Sequence, residues 1–259
     1  MLDKFHTAKQ AEIEQLRALM RADALPAVFG GFKPSFSYML RRADPIAVIA
    51  EYKRASPSRG DINTTLTPEE VAAAYKAGGA SAISVLTEET YFKGNLNYLE
   101  RMTTPGLPLL RKDFIFNPLQ ITLTAATPAS ALLLIVRMIG NDDALANLIA
   151  MTRDMGMEAV VEIFNRDDLR RARNAGAAII QVNNRDLDTL VTDMTISAEL
   201  AKERRPGELW ICASGITVHA DLPRAKEQGY DAVLVGTSLM QDGDPQGALR
   251  QLLTAEESP

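Results

Sequence analysis

The sequence predicts an α/β protein whose parallel strands close into one barrel, and three observations predict it. Eight short, nearly continuous apolar segments are typical of strands buried on both faces. Helical patterns fill the gaps between them, as in a parallel sheet built from strand–helix units. The length of 259 residues is close to the roughly 250 of a (β/α)8 TIM barrel. A doubly wound open sheet is the main alternative, but no dinucleotide-binding glycine pattern follows the first strand.

Local patterns justify the elements in chain order. Ile13, Leu16 and Leu19 at helical spacing predict an N-terminal helix over residues 3–22, followed by a Pro/Gly-containing stretch from Pro26 to Pro34. The apolar runs predict strands over residues 47–52, 82–86, 109–111, 131–136, 159–163, 178–182, 209–212 and 232–235. Helical spacing predicts helices over residues 68–77, 96–101, 118–126, 143–155, 166–174, 196–204, 220–228 and 245–253.

Residues at the predicted helix ends support these limits. Thr67 provides a capping hydroxyl, Pro68 suits the first turn, and the acids at 69–70 lie near the positive end of the helix dipole. Glycines at 78–79, 176 and 229 stop helices just before the next strand. Because no linker separates the units, we predict a single TIM-barrel domain over residues 1–259, with an N-terminal helical extension at 1–45 and the barrel at 46–255.

Composition excludes several classes of function. The formal net charge of −5, without a basic run, argues against a general nucleic-acid binder. The single Cys212 excludes an internal disulfide and a multi-cysteine metal site, and two histidines, His6 and His219, argue against a histidine-based metal centre. The most apolar run, 129–139, is too short to span a membrane, and charges throughout residues 3–22 argue against a signal peptide. We therefore expect a cytoplasmic protein with no nucleic-acid or membrane partner.

Two small-residue loops near the C-terminus predict a phosphate site. The segments 212–216 and 234–240 each follow an apolar strand and lead into a helix-like stretch. Small side chains let backbone N–H groups approach an oxyanion, and a barrel often binds phosphate after strands 7 and 8. Each loop alone is also compatible with an ordinary strand-to-helix turn, but the pair favours phosphate.

Polar residues follow four other predicted strands, at 51–53, 111–113, 162 and 183–185. In a barrel these ends point into one mouth. A single cluster is compatible with a solvated strand end or a structural ion pair, whereas four clusters beside a phosphate site favour function. Lysines and glutamates that perturb one another's pKa can serve as general acid and base. The residues therefore predict a cofactor-free acid–base enzyme for a phosphorylated, anionic small molecule.

Longer motifs surround these residues, at 49–58, 82–87, 91–94, 110–115, 161–162, 183–187 and 234–240. In this order they resemble the indole-3-glycerol phosphate synthase family from about Ile46 to Leu253. The resemblance implies a lyase that needs no cofactor. It would convert 1-(2-carboxyphenylamino)-1-deoxyribulose 5-phosphate to indole-3-glycerol phosphate, carbon dioxide and water. The implied partners are this phosphorylated small molecule and, as candidates, other enzymes of the tryptophan pathway.

The resemblance also implies residue roles. Lys112 matches the general acid, Lys53 the lysine that holds the substrate carboxylate, Glu162 the general base, and Glu51 an acidic partner that helps to place the lysines. The residues implied to position the substrate, to contact its phosphate and to pack against its aromatic portion are, respectively, Asn183 and Arg185; Ser56, Ser214, Gly215, Gly236 and Thr237; and Phe114 and Leu134.

One position departs from the family pattern. The family usually has a glutamate where this chain has Ala213. Because Lys112 would have one fewer anionic neighbour, we expect the change to affect the rate more than the reaction. It also leaves open a phosphate-binding barrel without turnover, and a different phospho-sugar enzyme such as an isomerase is a weaker alternative. The N-terminal helix either covers the mouth over the substrate or plugs one barrel end.

Overall fold

Eight parallel strands close into a barrel in the computed structural model, which describes residues 2–255. Each strand pairs with its neighbours in the chain, and the last pairs with the first, so that Ala47 lies opposite Ala232. The predicted fold class is confirmed. The strands β1 to β8 are Ala47–Tyr52, Ala82–Leu86, Leu109–Ile115, Ala131–Ile135, Glu158–Ile163, Ile179–Asn183, Leu209–Ala213 and Ala232–Val235.

Helices precede the barrel and connect its strands. The cap predicted at Thr67 is present, because its side chain accepts a hydrogen bond from the Glu70 backbone N–H over 3.3 Å. The helices α1 to α12 are Leu2–Arg21, Phe36–Arg42, Pro68–Gly78, Glu89–Phe92, Tyr98–Arg101, Pro118–Ala125, Asp142–Asp154, Arg166–Asn174, Thr195–Ala201, Asp221–Glu227, Thr237–Met240 and Pro245–Leu253.

The structure differs from the prediction mainly where polar residues belong to regular elements. Strand β3, predicted to end at residue 111, continues to Ile115 because Lys112 faces the barrel interior and Asp113 is buried among cations. The short helices α2 and α4 were not predicted. Nor was the antiparallel pairing of Ala55–Ser56 with Gly60–Asp61.

Side chains alternate along the strands between two apolar layers. On β1, for example, Ile49 belongs to the layer inside the barrel, whereas Val48 and Ala50 belong to the layer between the strands and the helices. Because successive strand residues point to opposite faces, every second residue of each strand reaches the interior. Site residues must therefore come from the interior-facing set at the ends of the strands.

Helix α2 closes the barrel at the end where the strands begin. Phe36 and Leu40, one turn apart, are buried among the interior-facing residues. Glu158, the first residue of β5, accepts hydrogen bonds from the backbone N–H groups of Phe36 at 2.7 Å and Ser37 at 3.1 Å. The opposite end, where the strands finish, stays available for a site.

Candidate active site

A cavity of about 630 Å³ lies at the C-terminal ends of the strands. Strands β1, β3, β5, β6, β7 and β8, or the loops that follow them, all contribute to its lining. The cavity gathers every predicted site residue except Leu134, namely Glu51, Lys53, Ser56, Lys112, Phe114, Glu162, Asn183, Arg185, Ser214, Gly215, Gly236 and Thr237.

Glu51 is buried near the end of β1 and contacts both lysines of the cavity. Its Oε1 lies 2.9 Å from Lys53 Nζ, and its Oε2 lies 3.7 Å from Lys112 Nζ. Burial opposes ionisation of this carboxyl group. The positive charges of Lys53 and Lys112, with hydrogen bonds from Lys53 and Ser84, outweigh that effect and lower the pKa of Glu51. The ionised carboxylate therefore holds two ammonium groups in one mouth.

Lys112 lies on β3 within the field of two carboxylates. Burial alone favours the neutral amine, but the negative charges of Glu51 and Glu162 outweigh it and raise the pKa of Lys112. Its side chain remains 20% exposed, and that exposed part faces the cavity. Lys112 is thus a protonated donor that a substrate oxygen can reach.

Glu162 is buried on β5, which lies two strands from β3 in the barrel, as β1 does in the other direction. It lies opposite Ile135 on β4 and Gln181 on β6. Gln181 Nε2 donates a hydrogen bond to Glu162 Oε2 over 2.5 Å. A carboxylate accepts at both of its oxygens, so this contact leaves capacity for a proton.

The loop after β7 takes an uncommon backbone conformation. Ser214 and Gly215 are both left-handed, with φ of 67° and 91°. The Ser214 hydroxyl donates to Asn183 Oδ1 over 2.9 Å, and Asn184 Nδ2 donates to the Ser214 carbonyl over 3.0 Å. A Cβ at Gly215 would lie 2.3 Å from Met194 Sδ. The side-chain amides of Asn183 and Asn184, at the end of β6, thus hold this loop, and the close approach of Met194 leaves no room for a side chain at position 215.

Asn183 and Arg185 lie where β6 leaves the barrel. Asn183 Oδ1 also accepts from the Arg185 backbone N–H over 3.0 Å, and Arg185 Nη1 donates to the Leu190 carbonyl over 2.9 Å. Asn184 is fully buried, and its Oδ1 accepts from the Ser197 backbone N–H over 3.0 Å. Of the three polar residues predicted to follow β6, two line the cavity and one supports the loops around it.

The loop after β8 lies close to the charged pair formed by Glu51 of β1 and Lys53, which follows β1. A Cβ at Gly236 would lie 2.5 Å from Glu51 Oε1 and 3.1 Å from Lys53 Nζ. The φ of Gly236, −131°, is open to any residue, so the requirement for glycine here is one of space. Thr237 follows at the start of α11, and Ser56, 8% exposed, lies beyond β1 on the same cavity.

Aromatic side chains form another wall of the cavity. Phe114 of β3 stacks on Phe5 of α1 with ring centroids 3.8 Å apart and planes at 12°. Phe92 lies 6.2 Å from Phe114 between centroids. Because Phe5 and Phe114 both line the cavity, α1 lies over the mouth of the barrel, at the end opposite α2.

A buried ion network fixes α1 at this mouth. Lys9 Nζ lies 2.7 Å from Asp113 Oδ1 and 3.0 Å from Glu12 Oε2. Asp113 also accepts from Arg111 Nη2 over 2.9 Å and from the Thr87 hydroxyl over 2.6 Å. Burial raises the pKa of Asp113, but the Arg111 and Lys9 charges and the hydrogen bonds outweigh it and lower the pKa to about 2.

Leu134 does not line the cavity, which corrects the prediction that it packs against a substrate ring. Its side chain belongs to the layer between strands and helices, whereas its neighbours Leu133 and Ile135 line the cavity. The alternation of strand side chains explains the difference. On β4, the residues that line the cavity are Leu133 and Ile135.

Several residues of the site were not identified from the sequence. Phe5 of the N-terminal helix lines the cavity, and Lys9 pairs with its lining residue Asp113. Ordinary amphipathic spacing in this helix gives no sign of a distant site. Gln181 did carry a signal, because a glutamine within the apolar run 179–182 is unusual for a buried strand.

Cys212 is buried on β7, and Asn184 Nδ2 lies 3.4 Å from its Sγ. Burial raises the pKa of this thiol, which disfavours the reactive thiolate. Within residues 2–255, no three His, Cys, Asp or Glu side chains are grouped so as to hold a metal ion. Over the same part of the chain, none of the helices combines the length and apolar character that crossing a bilayer requires.

Comparisons with known proteins agree on one family. The family model described as indole-3-glycerol phosphate synthase matches residues 2–252. Indole-3-glycerol phosphate synthase of Roseiflexus sp. (strain RS-1) is 42% identical over 270 residues, which cover 97% of each chain. The enzyme of the same name from Desulfosudis oleivorans is 45% identical over 208 residues, 80% of this chain and 79% of that one.

Solved structures show the same fold at greater distance. The crystal structure of 3-hexulose-6-phosphate synthase aligns with a TM-score of 0.61 and 16% identity. The alignment covers 80% of this chain and 98% of that one. At this identity the likeness supports the barrel alone.

Proposed function

The chain belongs to the indole-3-glycerol phosphate synthase family, and we propose how the residues of its barrel mouth divide the work of that reaction. The protein is a carboxy-lyase of tryptophan biosynthesis that acts on a phosphorylated small molecule. The reaction converts 1-(2-carboxyphenylamino)-1-deoxyribulose 5-phosphate to indole-3-glycerol phosphate. A carbon–carbon bond closes the ring, and carbon dioxide and water leave.

Lys112 is the general acid of ring closure. As the aromatic carbon attacks the ketone carbon, negative charge develops on the ketone oxygen and a proton must reach it. The raised pKa of Lys112, caused by Glu51 and Glu162 against the effect of burial, keeps this group protonated. A positioned ammonium group both stabilises the developing charge and delivers the proton.

Glu162 is the general base of the later steps. After carbon dioxide leaves, loss of water and return of aromaticity release a proton that needs an acceptor. The Glu162 carboxylate lines the same cavity as Lys112 and its charge acts on that lysine, which supports proton donation and uptake at neighbouring points of one cavity.

Lys53 holds the substrate carboxylate, and Glu51 places both lysines. The Lys53 ammonium group lies 2.9 Å from Glu51 Oε1 and lines the cavity, so it can face a second anion. Paired to a lysine, the carboxylate can enter a site that is partly removed from water before it is lost as carbon dioxide. Lys53 can also share proton transfer with Lys112.

The remaining residues bind and orient the substrate. Ser56, Ser214, Gly215, Gly236 and Thr237 contact the phosphate, while Asn183 and Arg185 position the chain between phosphate and ring. Phe114, with Leu133 and Ile135, packs against the aromatic portion, and α1 covers it through Phe5. A phosphate held far from the reacting carbons positions the substrate without changing during the reaction.

The single observation that carries these roles is Lys112 in contact with Glu51 and in the field of Glu162. The test is indole fluorescence after mixing the purified protein with the carboxyphenylamino-deoxyribulose phosphate. We expect product to accumulate without added metal or cofactor. Absence of product at high enzyme concentration would contradict the proposal.

Two further expectations belong with this function. We propose a cytoplasmic location, which the biosynthetic role supports. We also propose association with other tryptophan-pathway enzymes, which co-elution of the purified proteins on size exclusion would test.

A further inference from the structure

Gln181 lies beneath the cavity, next to the proposed base. It is two residues before Asn183 on β6, so both side chains face the barrel interior. Gln181 is fully buried, and its register partners are Glu162 on β5 and Ile211 on β7. At the paired position on β7, the interior layer of the barrel is filled by the apolar side chain of Ile211. A buried amide at position 181 therefore calls for a separate explanation.

The two polar atoms of the Gln181 side chain differ in their hydrogen bonding. Its Nε2 donates to Glu162 Oε2 over 2.5 Å, whereas its Oε1 is buried and has no hydrogen-bond partner among the described residues. An unpartnered buried oxygen destabilises the folded protein. Folding alone does not favour this glutamine, so the contact with Glu162 is the feature that accounts for it.

We propose that Gln181 is a positioning residue for Glu162, in a role that rests on the function proposed above. A glutamate side chain rotates about several bonds, and a base must hold its oxygen within hydrogen-bond reach of the proton it takes. By donating to one carboxylate oxygen, Gln181 fixes the carboxylate and leaves the other oxygen for the proton. A hydrogen bond to a charged acceptor is strong enough to fix such an orientation.

The test replaces the amide while keeping the volume, in Gln181→Met. We expect kcat to fall about tenfold or more, as for loss of one hydrogen bond to a charged group. We expect KM to change less than about twofold, because the phosphate and ring contacts remain. Ile180→Val, a change on the same strand in the outer layer, is the control and should leave kcat unchanged.

A double-mutant cycle with Glu162→Gln separates positioning from general damage to the core. If Gln181 acts through the Glu162 carboxylate, Gln181→Met should change kcat less than about threefold once that carboxylate is gone. Equal losses in both backgrounds, or wild-type kcat in the single variant, would overturn the proposal. Gln181→Leu repeats the test if the methionine variant does not fold.

Crystal structures give a readout that does not depend on residual rates. We expect the Glu162 carboxylate to leave its position, or to occupy several, in the folded Gln181→Met protein. An unmoved carboxylate would overturn the proposal. Failure of the proposed function is a separate result, because it would appear as absence of turnover in the wild-type protein.

Discussion

At the scale of single residues, the chemistry of the mouth depends on neighbours from distant parts of the chain. Lys112 on β3 is kept protonated by Glu51 on β1 and Glu162 on β5. Closure of the barrel places the three side chains around one cavity. Because both carboxylates act on Lys112, removing Glu51 or Glu162 should also change the charge environment of this lysine.

Lys112→Ala is expected to lower kcat by at least about 10²-fold, the usual lower range for loss of a general acid. Binding of inorganic phosphate should change little, because the loops proposed to bind it follow β7 and β8. Ser214→Ala should do the reverse and chiefly raise KM. Steady-state indole fluorescence measures both variants. If Lys112→Ala keeps its turnover, Lys53 becomes the better acid.

Ala213→Glu tests the departure from the family pattern. Ala213 is 3% exposed, lines the cavity and lies opposite Asn183 and Leu234. A carboxylate here adds an anionic neighbour for the lysines, so we expect kcat to be preserved or raised. Ala213→Gln, with similar volume and no charge, is the matched control. A collapse of kcat with the fold intact would show a mouth rearranged around the alanine.

Residue types at the strand ends could be predicted from the sequence, but two placements could not. The prediction for Leu134 missed the alternation by one position, because an unbroken apolar run does not show which residues face inward. The role proposed for Gln181 could not be predicted either, because it depends on the pairing that places this residue opposite Glu162.

At the scale of elements, α1 is attached to the mouth by charge as well as by apolar contact. Lys9 is 4% exposed and pairs with Asp113, whereas Arg17 and Glu14 on the same helix form an exposed pair. Exposed pairs contribute little to stability, but breaking a buried pair leaves an uncompensated charge. The Lys9–Asp113 contact therefore fixes the helix, and the surface pair does not.

Acid titration tests this attachment. The pKa of Asp113 is lowered from 3.8 to about 2 in the folded protein. Its contribution to stability is complete above pH 3.8 and is lost as pH falls toward 2. In Asp113→Asn, we expect the decrease in the free energy of unfolding on acidification to be about 2 kcal/mol smaller than in wild type. We also expect this variant to be less stable at neutral pH.

Urea unfolding between pH 7 and pH 2 measures the effect, with Glu14→Gln as the control. The control should stay within about 0.5 kcal/mol of wild type. If the free energy of unfolding falls by the same amount between pH 7 and pH 2 in wild type and in Asp113→Asn, the assignment is contradicted.

Helix α2 was not predicted, although its sequence contains helix signals. Ser35 as a cap and Phe36 with Leu40 at i and i+4 are helix signals. They span only seven residues, however, and periodicity is weak evidence over two turns. Helices α9 and α10 are equally short, at seven residues each, but each lies between two predicted strands, where a strand–helix unit calls for a helix. Helix α2 precedes the first strand and lacks that support.

At the scale of the whole molecule, the two barrel ends have separate tasks. Helix α2 fills the end where the strands begin, and the charged cavity occupies the end where they finish. The alternation of apolar and helical segments predicted a parallel sheet covered by helices. The chain length and the missing dinucleotide-binding glycine pattern then favoured the closed barrel over an open sheet. The position of α1 over the mouth could not be predicted, because it depends on contacts between residues far apart in the sequence.

Phe36→Ala tests the separation of tasks. Phe36 is fully buried, and truncation should lower the free energy of unfolding by about 3–5 kcal/mol. KM should stay within about twofold of wild type, because Phe36 lies at the end opposite the cavity. Urea unfolding and steady-state kinetics measure the two effects, and Ser214→Ala should show the opposite pattern. A large rise in KM for Phe36→Ala would contradict the separation.

The close approach of Gly236 to the charged pair bears on which variants of this protein can exist. Any substitution of Gly236 adds a Cβ, and that atom would lie 2.5 Å from Glu51 Oε1. Gly140, by contrast, has no atom within 4 Å of the position a Cβ would take. In a saturation library, alanine at position 140 should leave kcat unchanged, whereas alanine at position 236 should displace the Glu51 carboxylate and lower kcat. The geometry of the charged pair thus depends on a glycine from the opposite end of the barrel sequence, in the loop after β8.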